Sequence, residues 1–134
     1  YTDLEFEKIR DDIRAWKAEL GLKHYPKIYL IKKLHTTEQL FLLHRTGKAY
    51  INASRGEGWC IPAVEAGLIG NPIISIDHTG FADLLPKEDF YPVSTRQAEV
   101  VPVRWIPWYQ DYMQWLEVIE EDLSKQMLMV YNNF

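Results

Sequence analysis

Apolar side chains recur at intervals of three and four residues near the start of the chain. This period is typical of a helix with one apolar face, and it predicts a helix over residues 3–20. Thr2 and Glu5 have the spacing of a capping box, and Gly21 is suited to the end of the helix. The apolar face consists of Phe6, Ile9, Ile13, Trp16 and Leu20.

Short apolar runs then alternate with helical patterns, an arrangement that indicates parallel strands joined by crossover helices. The predicted fold class is α/β, a partial Rossmann-like parallel sheet with flanking helices. Ligands of such sheets bind beyond the carboxyl ends of the strands, where loops 32–35, 53–59 and 77–80 are expected to converge. The predicted strands cover residues 27–31, 49–53 and 72–76, and the predicted helices between them cover residues 37–46 and 61–69.

Four prolines change the pattern after Leu85. They predict an extended crossing segment over residues 86–108, with an edge strand at 100–103. Apolar side chains on one side of the following stretch predict a last helix over residues 109–130. The prolines are Pro86, Pro92, Pro102 and Pro107.

A glycine-rich loop separates the second predicted strand from the helix that follows it. Gly56 and Gly58 are expected to give the backbone around Glu57 conformations that other residues rarely adopt. Pro62 suits the first turn of the helix, where its missing N–H is no loss. A helix that begins directly after such a loop directs unpaired N–H groups at the space above the strand, which favours an anion there.

Glu57 and Glu65 are separated by seven residues within the pattern Arg-Gly-Glu-Gly-Trp-x-x-Pro-x-x-Glu-Ala. This segment resembles the Glu-x7-Glu signature of the retaining GT-B glycosyltransferases of the group 1 family, which transfer sugars from nucleotide donors. Residues 70–77 are similar to the family's Gly-x-Pro-Val-Ile-x-x-Asp, and the resemblance clearly covers residues 27–85.

The resemblance implies a domain organisation. Residues 1–108 would form the later part of a nucleotide-sugar-binding domain, the C-terminal half of a GT-B fold, and residues 109–134 a C-terminal helix packed back on it. An acceptor-binding domain would precede Tyr1, so we expect these 134 residues to be inactive alone. The chain differs from the family at Cys60, where glycine is usual, and at Gly67, where a larger apolar residue is usual.

The resemblance also implies roles for the two glutamates. Glu65 would accept hydrogen bonds from the vicinal ribose hydroxyls of the donor, because a carboxylate has acceptors for two adjacent donors. Glu57 would be the catalytic residue, holding the donor sugar and stabilising positive charge at its anomeric carbon without attacking it. The residues by themselves leave alternatives open: a surface glutamate favoured by the helix dipole for Glu65, and a solvated turn residue for Glu57.

Backbone N–H groups around Gly56, Gly58, Trp59 and Cys60 would bind the diphosphate of the donor. The chain has no Asp-x-Asp pair of the kind that holds a divalent ion beside a leaving diphosphate. We therefore expect metal-independent transfer, with no cofactor and with the nucleoside-diphosphate sugar as the donor substrate. Arg55 is expected to brace the loop, and Cys60 to be a small packed side chain.

Composition bears on the other function classes. A net charge of -4 does not favour nucleic acid, and no apolar run is long enough to span a membrane. The single cysteine fits a reducing compartment, so a cytoplasmic location is expected, either free or peripheral to a membrane. The histidines show no metal-ligand spacing. Two alternatives stay open: a non-catalytic nucleotide-sugar or protein-binding module of the same fold, and a GT-B nucleotide-sugar epimerase.

Overall fold

The computed structural model describes residues 3–33, 36–78, 80–100, 108–110 and 112–134. The chain divides into two units, Tyr1–Thr36 and Thr37–Phe134, and the glycine-rich loop belongs to the second.

The first unit contains one helix, α1 (Asp3–Leu20), as the apolar stripe predicts. Acidic residues occupy its first turn and Lys17 lies in its last turn. These charges are opposite to those of the helix dipole at each end, so they stabilise the helix. The chain then turns back at Tyr25, whose hydroxyl donates to the carbonyl of Lys17 and accepts the N–H of Leu22. Lys32 returns to the start of the helix, where it pairs with Asp3.

The strand predicted at residues 27–31 is not present. These residues form neither a helix nor a strand, and Tyr29 is 76% exposed. A strand is stabilised by hydrogen bonds to a neighbouring strand, and the described residues of this unit contain none. The apolar run fits a buried strand in composition, but its neighbours in this unit are a helix and a turn.

The second unit contains a three-stranded parallel sheet in the order β1-β2-β3, flanked by helices, together with an antiparallel pair, β4-β5. The α/β fold class and the parallel sheet are therefore confirmed. Its elements are α2 (Thr37–Thr46), β1 (Tyr50–Asn52), α3 (Ile61–Leu68), β2 (Ile73–Ile76), β3 (Tyr91–Val93), β4 (Thr95–Glu99), β5 (Gln114–Val118) and α4 (Glu120–Asn133).

The two faces of the parallel sheet bury separate apolar clusters, because side chains alternate along each strand. On one face, Ile73 packs with residues of α3 and with Phe81 and Phe90, whose rings meet edge to face at 5.3 Å. On the other face, Ile74 and Val93 pack against Val130 of α4. Helix α3 therefore covers one face of the sheet and α4 the other.

Two elements after Leu85 differ from the prediction. The third parallel strand is β3, within the stretch predicted as a crossing segment, and Pro92 is accommodated there because β3 lies at the edge of the sheet. The helix predicted over 109–130 begins only at Glu120, after strand β5. Of the edge strand predicted at 100–103, residues 101–103 lie outside the described residues, whereas Val100 donates its N–H to Met113.

The start of α4 has a local cause that the apolar pattern does not contain. Glu120, Glu121 and Asp122 place three carboxylates in its first turn, where the helix dipole favours negative charge. Asp122 also accepts the backbone N–H of Ser94 at 2.7 Å, which ties the helix start to the segment between β3 and β4. This hydrogen bond lowers the pKa of Asp122.

Candidate functional site

The glycine-rich loop leaves the sheet from a buried polar pair. Asn52 and Ser75 occupy paired positions on β1 and β2, and the Asn52 amide donates to the Ser75 hydroxyl at 3.2 Å. The Asn52 side-chain oxygen also accepts the backbone N–H of Ser54 at 3.2 Å. Both side chains are buried, and the hydrogen bond between them gives each a partner that it would otherwise lack, at a cost in folding free energy. The pair therefore fixes the direction in which the loop leaves β1.

The loop that follows β2 meets the glycine-rich loop backbone to backbone. Gly80 donates its N–H to the carbonyl of Glu57 at 3.2 Å. A Cβ at Gly80 would lie 1.7 Å from the carbonyl oxygen of Gly58, closer than any side chain can come. Glycine is therefore required at position 80 by this contact. Two of the three loops predicted to converge meet here, while the third, 32–35, belongs to the first unit.

The positions that need special backbone conformations are not those predicted. Neither Gly56 nor Gly58 has a positive φ, and a Cβ on either would meet no atom within 4 Å. The left-handed residue is Cys60, with φ 45° and ψ 58°. A side chain in this conformation costs about 1–2 kcal/mol relative to glycine. Glycine would adopt this conformation without strain, so the cysteine at this position carries a backbone cost.

Cys60 immediately precedes α3, and its carbonyl accepts the first helical N–H bonds, from Ala63 at 2.9 Å and Val64 at 3.3 Å. Its side chain makes no capping hydrogen bond. The thiol is instead buried, with Sγ 4.0 Å from the Tyr50 hydroxyl. Cys60 is thus a packed side chain, as the sequence predicts, and it contributes to the core below the loop.

Gly67, the second departure from the family pattern, lies where α3 approaches the sheet. A Cβ at this position would be 3.0 Å from the Cδ1 atom of Ile73. That distance is tighter than ordinary van der Waals contact, so a larger residue would require Ile73 or the helix to shift. Glycine here lets α3 pack closely on β2.

The Tyr50 hydroxyl, on β1, lies partly buried beside the Cys60 thiol. Burial is the main cause that raises the pKa of Tyr50 above its usual value, followed by Cys60 and then by the negative charges of Glu57 and Glu65. The phenol is therefore neutral at physiological pH.

Glu65 lies on α3 and has a partner from α2. The Nε2 atom of His44 is 3.7 Å from the Oε2 atom of Glu65, and their side chains are 12% and 26% exposed. The His44 ring also packs against Tyr50, with centroids 5.8 Å apart. Sequence reasoning missed His44 and Tyr50 as members of this group, because they come from other elements and belong to no local motif.

Arg55 braces the loop, as predicted. Its guanidinium donates from two nitrogens to one oxygen of Glu117 on β5, at 2.6 and 3.2 Å. It also lies over the ring of Trp115, 4.0 Å from the centroid. The positive charge of Arg55 is therefore matched within the protein, and the start of the loop is held against the β4-β5 pair.

Both glutamates are partly exposed. Three cavities of about 790, 850 and 490 Å³ lie among the described residues of the second unit, and none is lined by Glu57 or Glu65. Trp59, between the loop and α3, is 64% exposed. Asp77 and His78, at the carboxyl end of β2, keep buried polar atoms without a hydrogen-bond partner in the protein.

Within the described ranges, no cluster of three or more His, Cys, Asp or Glu side chains is arranged to hold a metal ion. The helices in those ranges also include none with the length and apolar content needed to cross a membrane. Comparison of the chain with known protein families, curated proteins and solved structures found no match.

Replacing Gly80 by alanine should disrupt the contact between the two loops. We expect Gly80→Ala to lower the free energy of unfolding by about 1–3 kcal/mol, because the new methyl group overlaps the backbone of Gly58. Gly56→Ala is the matched control, since its Cβ meets open space and φ is ordinary. Urea denaturation of both variants measures the difference, and equal stabilities would contradict the loop contact.

Proposed function

We propose that this chain is the donor-binding part of a retaining GT-B glycosyltransferase, which transfers a sugar from a nucleoside diphosphate to an acceptor. The observation that carries the proposal is that Gly80 holds Glu57 in the loop after β1, and that Glu65 lies on the helix that follows this loop, in contact with His44. The loop and α3 follow the carboxyl end of β1 in a parallel sheet, the side at which ligands of open α/β sheets bind.

Glu65 has the role of binding the ribose of the donor. Vicinal hydroxyls are two adjacent hydrogen-bond donors, and a carboxylate accepts both. The Glu65 side chain is largely buried but keeps 26% of its surface exposed, so it is held by the protein and still accessible. Its location on α3 rather than in the loop gives it a fixed backbone.

Glu57 has the role of stabilising charge during transfer. When the bond to the diphosphate breaks, positive charge develops at the anomeric carbon, and a fixed carboxylate nearby lowers the energy of that state. The hydrogen bond from Gly80 to the Glu57 carbonyl fixes the backbone from which this side chain projects. Glu57 therefore suits an electrostatic and positioning role.

The diphosphate would be bound by backbone N–H groups of the loop that precedes α3. The open space above Gly56 and Gly58 supports this assignment, because absence of a side chain lets a ligand approach the backbone closely. Arg55 contributes little, since its charge is matched by Glu117. The resemblance implies that further basic residues come from a part of the enzyme that precedes this chain.

Glu65→Gln should weaken the binding of nucleoside diphosphates by the intact protein. Hydrogen bonds to a charged group contribute about 1.5–3 kcal/mol, so we expect a loss of roughly ten- to a hundredfold in affinity. Titration calorimetry with uridine, guanosine and adenosine diphosphates measures the effect. Glu99→Gln, at an exposed position on β4, is the matched control and should bind as the wild type does. Equal affinities for the two variants would contradict a ribose-binding role.

Glu57→Gln should abolish sugar transfer while leaving diphosphate binding intact. Loss of a charge-stabilising group in a preorganised site costs about 10²–10³-fold in kcat. Transfer is measured with the intact protein, a nucleotide sugar and an acceptor mixture. A wild-type protein that binds nucleotide sugar without turnover would favour a non-catalytic module. Consumption of the donor without any acceptor would favour an epimerase.

Gly58→Ala should weaken diphosphate binding without changing the stability of the fold. The variant methyl group meets no protein atom, so we expect the free energy of unfolding to stay within about 1 kcal/mol of the wild type. Diphosphate affinity should fall about tenfold or more, because the methyl group occupies the space above the loop backbone. Denaturation and calorimetry on the same variant measure the two quantities. Unchanged affinity would show that the diphosphate does not approach this loop.

A further inference from the structure

Glu65 projects from α3 toward an imidazole on a different helix. His44 lies in the last turn of α2, and its Nε2 atom is 3.7 Å from Oε2 of Glu65. The His44 side chain is only 12% exposed, so the imidazole is packed within the protein and limits the space open to the carboxylate. The interaction therefore restricts where the carboxylate of Glu65 can lie.

The position of His44 is itself fixed from two sides. Its carbonyl oxygen accepts the side-chain N–H of Asn71 at 2.6 Å and the backbone N–H of Gly47 at 3.1 Å. Its ring packs against Tyr50 at an interplanar angle of 53°. An imidazole held at both its backbone and its ring is a rigid partner for a flexible side chain.

Asn71 connects this arrangement to the helix that carries Glu65. The backbone N–H of Asn71 donates to the carbonyl of Ala66 at 3.0 Å, which closes the end of α3. Its side chain meanwhile holds the end of α2 through His44. The helix bearing His44 and the helix bearing Glu65 are therefore joined through one residue, and their separation is set by hydrogen bonds.

We propose that His44 is a positioning residue that holds the Glu65 carboxylate in the orientation that accepts the vicinal hydroxyls of a ribose. This inference rests on the proposed function of Glu65. A glutamate side chain that is free in solution loses rotamer freedom when a ligand fixes it, and that loss weakens binding. A carboxylate already held by His44 avoids most of this loss. One oxygen faces the imidazole, and the remaining acceptor sites of the carboxylate serve the ligand.

The experiment compares ribose with deoxyribose ligands on the intact protein. The nucleoside diphosphate that binds the wild type most tightly, among those of uridine, guanosine and adenosine, is titrated beside its 2′-deoxy analogue. We expect His44→Leu to lower the preference for the ribose form by about tenfold, the equivalent of losing a fixed side-chain orientation. His44→Gln keeps an N–H donor of similar reach and should retain most of the preference.

Making His44→Leu in the Glu65→Gln variant as well distinguishes a positioning role of His44 from a purely structural one. In Glu65→Gln, where the charged partner of His44 is gone, His44→Leu should cause no further loss of ribose preference. Equal weakening of both ligands by His44→Leu, or full additivity with Glu65→Gln, would overturn the inference. So would a ribose preference that depends on Glu65 but not on His44, and this result would leave the proposed function standing. A wild type without diphosphate binding or ribose preference would overturn both.

Discussion

The contact between Gly58 and Gly80 is the constraint on which the geometry of the candidate site depends. Parallel pairing of β1 and β2 brings the carboxyl ends of both strands to one edge of the sheet, so the loops after them must meet. Only hydrogen atoms fit between the two backbones at this point, and the Gly80 N–H is thereby able to bond to Glu57. The loop is thus held at its middle by Gly80, at its start by Asn52 and Arg55, and at its end by α3.

The elements that sequence patterns identify are those whose signals are local. Helices α1 and α2 begin and end where their periodicity and flanking residues predict, and β1, α3 and β2 agree to within about one residue. Each is bounded by a cap, a glycine or a proline that acts within a few positions. Of the candidate site, the two glutamates are predicted through the resemblance that their spacing and flanking residues carry, and their roles stay a prediction.

The elements that were missed depend on partners distant in the chain. Strand β5 has apolar residues that also fit a helix, and its pairing with β4 decides the outcome. The run at 27–31 has the composition of a strand and no strand beside it within its unit. For the same reason no local pattern identifies His44, because its partner Glu65 lies on the next helix, 21 residues later in the chain. No local pattern identifies Gly80 either, because the need for glycine there comes from contact with Gly58 of another loop.

The left-handed turn at Cys60 and the two acidic side chains bear on where the parts of a bound donor would lie. The left-handed turn at Cys60 changes the chain direction so that α3 begins directly beside the loop, and the buried thiol leaves the space above free. Glu57 and Glu65 are both acidic, and like charges repel. Were the diphosphate to lie against the carboxylates, its charge would add to this repulsion. In the proposed function, the hydroxyl groups and the developing positive charge would therefore face Glu65 and Glu57, and the diphosphate would face the backbone N–H groups.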